Sequence, residues 1–174
     1  MKDFWLSTGV DTAGDRILTG YQGSLEDMPV ANYLVKLAES GKSALDFGCG
    51  IGRNSIALSK NFKKVFAYDL PNMVNLVPEK NKNSKIIYTS DWNEIKNNKF
   101  DVVLACLVFQ HINDQELVEY LKDLSQITEK IILGSRTWID DTNSSVLDIV
   151  SKFFDVEILG EISNEHFTAV LKKR

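Results

Sequence analysis

Three glycines alternate with other residues in one short segment of the chain. They are Gly48, Gly50 and Gly52, and Asp46 opens the segment. A glycine has no Cβ to keep a ligand away from the main chain, and it readily adopts the positive φ angles of a tight turn. A strand-like run precedes the segment and a helix start follows it, so backbone N–H groups are expected to face the turn. The pattern indicates a site for a nucleotide-like ligand.

A second acidic residue, Asp69, closes a strand-like run at 64–69. In nucleotide-binding folds, a carboxylate about twenty residues beyond the glycine turn accepts hydrogen bonds from the two ribose hydroxyls. The glycine spacing differs from the dinucleotide fingerprint, whose third glycine comes three positions after its second. The two signals together favour a nucleotide-like cofactor other than NAD.

The segment 46–52 resembles the first motif of the class I S-adenosylmethionine-dependent methyltransferases, and Asp69 matches the acid that closes their second strand. The longer string 46–55 is also similar to small methyltransferases of the tellurite-resistance type. The resemblance implies S-adenosyl-L-methionine as cofactor and S-adenosyl-L-homocysteine as product. It leaves the methyl acceptor open.

The resemblance also implies which residues bind the cofactor. These are Asp46, Gly48, Cys49, Gly50, Asp69, Leu70, Met73, Asp91, Trp92, Cys106 and Leu107, with Arg16 from the N-terminal segment. Leu70 and Met73 would sandwich the adenine, although both also suit an ordinary core. Asp91 would meet the adenine amino group, or it would cap a short helix.

The segment 105–112 looks like the fourth motif of the same family and ends near His111. It lacks the Asn-Pro-Pro-Tyr signature of the members that methylate adenine or glutamine, which argues against those acceptors. An imidazole titrates near neutral pH, so His111 is a candidate general base. The alternative is that His111 braces the loop.

Aromatic residues are the candidates for contact with the acceptor. Trp5 and Tyr21 lie in residues 1–25, which we expect to form a lid that orders over the site, and Trp138 follows the fifth predicted strand. The remaining residues, 26–174, are expected to form a single methyltransferase domain.

The rest of the chain alternates helices and strands. Strands are predicted at 43–47, 64–69, 85–89, 100–106, 130–134, 155–160 and 166–172, and helices at 27–40, 54–61, 72–77, 113–127 and 144–154. Several strands are continuously apolar, as strands covered on both faces are. The prediction is an α/β three-layer sandwich. Its seven-stranded sheet is mostly parallel with an antiparallel last strand, and helices cover both faces.

Composition limits the partners. The formal net charge of −4 gives no broad attraction to phosphate backbones, so we expect a small-molecule acceptor and no nucleic acid. The N-terminus resembles no secretion signal and no segment is apolar and long enough to cross a bilayer, so the expected location is the cytoplasm. The expected oligomeric state is a monomer or weak dimer. The two cysteines form neither a disulfide framework nor a metal-ligand spacing.

The function predicted from the sequence is methyl transfer from S-adenosylmethionine to a small molecule. The alternative is a protein that binds the cofactor without transferring the methyl group. An NAD-dependent oxidoreductase is a weaker alternative. The glycine spacing differs from that class, and so does the hairpin formed by the last two predicted strands, 155–160 and 166–172.

Overall fold

A computed structural model describes residues 29–139, 142–163 and 166–174 of the chain. The predicted lid, with Trp5, Arg16 and Tyr21, lies outside the described residues. So do two residues of the turn between the last two predicted strands.

The described residues alternate helices and strands as the apolar pattern predicts. The α-helices are α1 (Pro29–Leu37), α2 (Arg53–Ser59), α3 (Pro71–Asn75), α4 (Trp92–Lys96), α5 (Asp114–Ile127) and α6 (Val146–Val150). The strands are β1 (Gly41–Phe47), β2 (Phe62–Tyr68), β3 (Ile86–Thr89), β4 (Val102–Cys106), β5 (Lys130–Arg136), β6 (Phe154–Ser163) and β7 (His166–Lys173). Short 3₁₀ turns lie at Glu79–Asn81 and Phe109–His111.

The strands form a seven-stranded sheet in the order β3-β2-β1-β4-β5-β7-β6. Strands β1 to β5 pair in parallel, and β7 runs antiparallel to both of its neighbours. The fold class predicted from the sequence is therefore confirmed. Because the order reverses between β1 and β4, the carboxyl ends of these two strands border the crevice where ligands of open α/β sheets bind.

Apolar layers cover both faces of the sheet. Successive side chains of a strand point to opposite faces, so Leu45 and Phe47 of β1 pack toward α5 whereas Ala44 packs toward α1 and α2. The strand interiors are buried on both sides, which explains the continuous apolar run of β4. The alternation also places Asp46 on the α2 face, inside the protein.

Side-chain caps set the starts of several helices. Asn113 begins α5 by accepting a hydrogen bond from the Glu116 N–H at 3.0 Å. Asp91 caps α4 in the same way, through the Asn93 N–H at 2.9 Å. None of the described helices has the length and apolar character that a bilayer-spanning helix needs.

Candidate functional site

The glycine turn follows β1 and has the backbone that its composition predicts. Gly48, Gly50 and Gly52 have φ angles of 74°, 54° and 88°. A Cβ at Gly48 would lie 2.4 Å from Val108, and a Cβ at Gly52 would lie 2.2 Å from the Tyr88 hydroxyl. Glycine is required at both positions by the backbone angle and by the space. The absence of side chains at these two positions lets Val108 and Tyr88 pack directly against the main chain of the turn.

Asp69 lies directly against this turn. One carboxylate oxygen accepts a hydrogen bond from the Gly50 N–H at 2.6 Å, and the other accepts from the Leu70 N–H at 2.7 Å. Each oxygen keeps a further lone pair that can accept from a ligand hydroxyl. Burial raises the pKa of Asp69 above its ordinary value, against the two backbone donors that lower it. The structure thus joins the two sequence signals, which are 19 residues apart.

Asp46 lies beneath the turn and is fully buried. One carboxylate oxygen accepts a hydrogen bond from the Ser55 hydroxyl at 2.6 Å, and the other, Oδ1, is buried without a hydrogen-bond partner among the described residues. Burial raises the pKa of Asp46 to about 7, helped by the negative charge of Asp69 and opposed by Ser55 and Arg53. A buried oxygen without a hydrogen-bond partner beside the turn fits a ligand that carries a donor or a positive charge.

We predict that Asp46 makes the ligand-free protein less stable as the pH rises. Between its ordinary pKa of 3.8 and its folded pKa of about 7, the folded state keeps a proton that the unfolded state has released. The stabilisation that protonated Asp46 gives the folded state is therefore complete below pH 3.8. It is lost as the pH rises through the folded pKa of about 7.

The measurement is denaturant unfolding of the wild type and of Asp46→Asn, which keeps an acceptor for Ser55. From about pH 5 to about pH 8 the wild type should lose on the order of 2 kcal/mol relative to the variant. A difference that stays constant with pH would contradict this prediction.

Two thiols border the same region. Cys49 lies in the turn and Cys106 ends β4, beside β1 in the sheet. Burial raises the pKa of Cys49 well above its ordinary value and raises that of Cys106 to about 11. Both thiols are protonated at neutral pH, so packing and contact are the roles open to them, not nucleophilic attack.

The next residue, Leu107, has a φ of 57°, a left-handed angle that is uncommon for a branched side chain. Its N–H donates to the Gly134 carbonyl of β5 at 2.7 Å, which holds the strained backbone in place. The chain therefore turns sharply where β4 ends, and the 3₁₀ turn with His111 follows directly. Strain of this kind is common at ligand sites.

Three other residues predicted to bind the cofactor, Met73, Trp92 and Asp91, already pack or hydrogen-bond within the protein. Met73 is 2% exposed within α3, which favours its alternative as a core residue. The indole of Trp92 packs against Phe47 and Tyr120 and donates to Asp123 at 2.7 Å. Asp91 is exposed and caps α4, so only its remaining acceptor capacity is open to a ligand.

Trp138 lies just after β5, and 56% of its surface is exposed. The carboxyl ends of β4 and β5 are adjacent, so the Trp138 loop and the His111 turn border the same side of the sheet. An exposed indole in this position can contact a bound small molecule.

The structure adds supporting residues that the sequence did not single out. Asn81 donates to the Ile51 carbonyl of the turn at 2.8 Å, and the Tyr88 hydroxyl donates to the Asn81 carbonyl at 2.9 Å. Ser55 partners Asp46, as described above. Their types carry no distinctive signal; only the position of Ser55, in the first turn of the helix that follows the glycines, could have marked it. Among the described residues, no group of His, Cys, Asp and Glu side chains is arranged to hold a metal ion.

The matching family model and a curated relative are both described as methyltransferases. Residues 45–130 match the family model described as a methyltransferase domain. An uncharacterized methyltransferase of Bacillus velezensis is 26% identical over 125 residues, which are 70% of this chain and 55% of the relative. The chain thus spans about half the length of this curated relative.

Solved structures share the fold. The N-methyltransferase NodS of Bradyrhizobium japonicum, in complex with S-adenosyl-L-homocysteine, superposes with a TM-score of 0.68 at 15% identity, over 87% of this chain and 91% of that one. Magnesium protoporphyrin IX methyltransferase of Synechocystis, with bound S-adenosylmethionine, gives 0.60 at 16%, over 87% and 78%. An rRNA methylase of Streptococcus thermophilus gives 0.60 at 15%, over 82% and 93%.

Proposed function

Because the chain belongs to the class I S-adenosylmethionine-dependent methyltransferases, we propose that it transfers the methyl group of S-adenosylmethionine to a small-molecule acceptor. The observation that carries the proposal is the hydrogen bond between the Gly50 N–H and Asp69, which puts a carboxylate beside the backbone of the glycine turn. S-adenosylmethionine, when bound, supplies the methyl group. The residues of the chain bind and orient the two reactants and exclude water.

The described residues fit the three parts of this cofactor. Asp69 keeps lone pairs for the ribose hydroxyls, while Leu70 beside it is half-buried and can contact the adenine. Gly50 has no side chain that would keep the methionine part away from the turn, and the Asp46 oxygen that lacks a hydrogen-bond partner lies below the same turn. Arg16 would join this set from the N-terminal segment, which we propose closes over the site.

Charge supports a small acceptor over a nucleic acid. Relatives with the same fold include both small-molecule enzymes and an rRNA methylase, so the fold leaves both classes open. The net charge is −4. A lysine-lined groove, with Lys60, Lys63 and Lys85, lies at the amino ends of β1 to β3, on the edge of the sheet opposite the glycine turn. A phosphate backbone bound there would lie far from the site.

Titration calorimetry with S-adenosylmethionine, S-adenosylhomocysteine and NAD tests the cofactor. We expect binding of the first two and none of NAD. Tight NAD binding without response to the other two would contradict the proposal. Transfer is then followed by S-adenosylhomocysteine formation across a panel of small amines, phenols, thiols and carboxylic acids, with short RNAs as a separate arm. Activity on RNA alone would replace the small-molecule acceptor.

We predict that His111→Ala slows transfer about tenfold or more, because the imidazole lies in the turn after β4 and contacts the acceptor. Affinity for S-adenosylhomocysteine should stay within about twofold of wild type, since no cofactor contact is assigned to this side chain. Steady-state kinetics and calorimetry on the same preparation separate the two effects. A wild-type rate would assign His111 to loop structure instead.

A further inference from the structure

The indole of Trp92 is anchored to α5. Its Nε1–H donates a hydrogen bond to the Asp123 carboxylate at 2.7 Å. The ring meets those of Phe47 and Tyr120 edge to face, at centroid distances of 5.7 and 4.8 Å, and lies 5.0 Å from that of Tyr68. Aromatic contacts of this kind and a hydrogen bond to a charged acceptor are both stabilising. The indole is therefore held by several neighbours at once.

Asp91, the residue before Trp92, is fixed by the same segment. Its N–H donates to the Thr89 hydroxyl at 3.0 Å, and its Oδ1 accepts from the Asn93 N–H at 2.9 Å. The residue is exposed, so the remaining lone pairs of its carboxylate can accept from a ligand. The position of those lone pairs depends on how this segment is held.

Asp91 and Asp69 lie at the same edge of the sheet. Strands β2 and β3 are parallel neighbours, with Tyr68 opposite Thr89. The Asp69 N–H donates to the Thr89 carbonyl at 3.3 Å, and Asp91 follows two residues later in the chain. In the proposed function Asp69 binds the ribose of the cofactor. The adenine joined to that ribose then comes within reach of the segment after β3.

We propose that Trp92 is a positioning residue whose hydrogen bond to Asp123 holds this segment so that Asp91 accepts from the adenine amino group. The family resemblance implies that Trp92 binds the cofactor, but its indole contacts α5 instead. Because the adenine belongs to S-adenosylmethionine, this role rests on the proposed function. It makes Asp123, 31 residues beyond Trp92, a determinant of base selectivity.

The choice of base reports the position of Asp91. A hydrogen bond is lost once donor and acceptor are more than about 3.5 Å apart, so a shift of about 1 Å is enough to remove it. Adenine has an amino group that donates, whereas hypoxanthine has a carbonyl oxygen in its place. That oxygen would face the carboxylate as one acceptor faces another. S-inosylhomocysteine, which differs from S-adenosylhomocysteine only in this base, is therefore the matched ligand.

Titration calorimetry of the full chain with these two ligands tests the role. We expect the wild type to bind S-adenosylhomocysteine about tenfold or more tightly than the inosyl analogue. Trp92→Phe keeps an aromatic ring without the donor, and Asp123→Ala removes the acceptor at a partly exposed position. In both variants the affinity for S-adenosylhomocysteine should fall about fivefold or more, while that for the analogue stays within about twofold. An unchanged ratio of the two affinities in either folded variant would overturn the proposal.

Three further variants separate positioning from general stability. Asp123→Asn keeps an oxygen that accepts from the indole, so it should restore most of the preference for S-adenosylhomocysteine. Lys96→Ala removes the cation 3.8 Å from Asp123 but leaves the indole contact, so both affinities should equal those of the wild type. Asp91→Asn keeps the helix cap but brings an amide NH₂, which suits the hypoxanthine oxygen, so the preference for S-adenosylhomocysteine should be lost.

The same titrations distinguish this inference from the proposed function. A wild type that binds neither ligand would overturn both. A wild type that prefers S-adenosylhomocysteine, with variants that keep that preference, would overturn the positioning role alone. Nitrogen-15 NMR of the three tryptophan indoles tests the contact without any ligand. The signal lost in Trp92→Phe identifies this indole, and it should shift in Asp123→Ala; an unshifted signal would overturn the proposal.

Discussion

Asp69→Ala should weaken the binding of S-adenosylmethionine and S-adenosylhomocysteine by about 10- to 100-fold. The carboxylate is the acceptor proposed for the ribose hydroxyls, and a charge-assisted hydrogen bond contributes about 1.5–3 kcal/mol. The substitution also removes the acceptor of the Gly50 N–H, which the structure shows at 2.6 Å. The loss of affinity therefore combines a lost ligand contact with a loosened turn.

Calorimetry with S-adenosylhomocysteine measures the loss of affinity in Asp69→Ala, and two further variants serve as controls. Asp69→Asn keeps the size of the side chain and one acceptor oxygen, so its affinity should fall between those of the wild type and Asp69→Ala. Asp155→Ala removes an exposed acid of β6 that pairs with Arg174, and it should bind as the wild type does. Unchanged affinity in Asp69→Ala would exclude the ribose role.

Gly52→Ala should destabilise the protein by about 3 kcal/mol and abolish measurable cofactor binding. The backbone at Gly52 has a φ of 88°, which costs an alanine about 1–2 kcal/mol. The new Cβ would also lie 2.2 Å from the Tyr88 hydroxyl, and overpacking of this kind adds about 1–3 kcal/mol. Relief requires that Tyr88 or the turn moves, and either movement disturbs the surface that faces the ligand.

Thermal unfolding should show a Tm lowered by about 6–12 °C for Gly52→Ala, from the usual conversion for a domain of this size. Gly160→Ala is the matched control, because a Cβ at Gly160 meets nothing within 4 Å and the backbone there has no positive φ. We expect its Tm and affinity to equal those of the wild type. If Gly52→Ala had the same Tm and the same cofactor affinity as Gly160→Ala, the turn would tolerate a side chain and the prediction would be wrong.

Much of the fold could be predicted because the relevant signals are local. A continuous apolar run such as that of β4 reports burial on both faces. The apolar stripe of α5 reports one buried face, and the residue types at its start report a cap. Strand and helix ends shifted by a few residues, since the ends depend on hydrogen bonds that residue types alone do not define. The spacing of Gly48, Gly50 and Gly52 likewise predicted a turn with positive φ angles, because only glycine adopts them freely.

The roles of some site residues could not be predicted, because they depend on contacts across the sheet. For example, the buried Gln110 side-chain oxygen accepts a hydrogen bond from the Arg136 N–H, 26 residues farther along the chain. This contact exists only because β4 and β5 are parallel neighbours in one register. Trp92 is a similar case: aromatic side chains from β1 and α5 draw its indole into the core. A sequence names these residue types but does not state which strand lies beside which.

The sequence by itself determined the α/β architecture and the glycine turn with its positive φ angles, and it marked Asp46 and Asp69 as candidates for binding a nucleotide-like cofactor. Each of these follows from local backbone preference or from apolar periodicity. Only the tertiary structure decided that Asp46 is buried with a pKa of about 7 and that Asp69 bonds to the turn. It alone showed that the Gln110 amide lies beside His111. Ionisation depends on the atoms that surround a group in space, and those atoms come from distant parts of the chain.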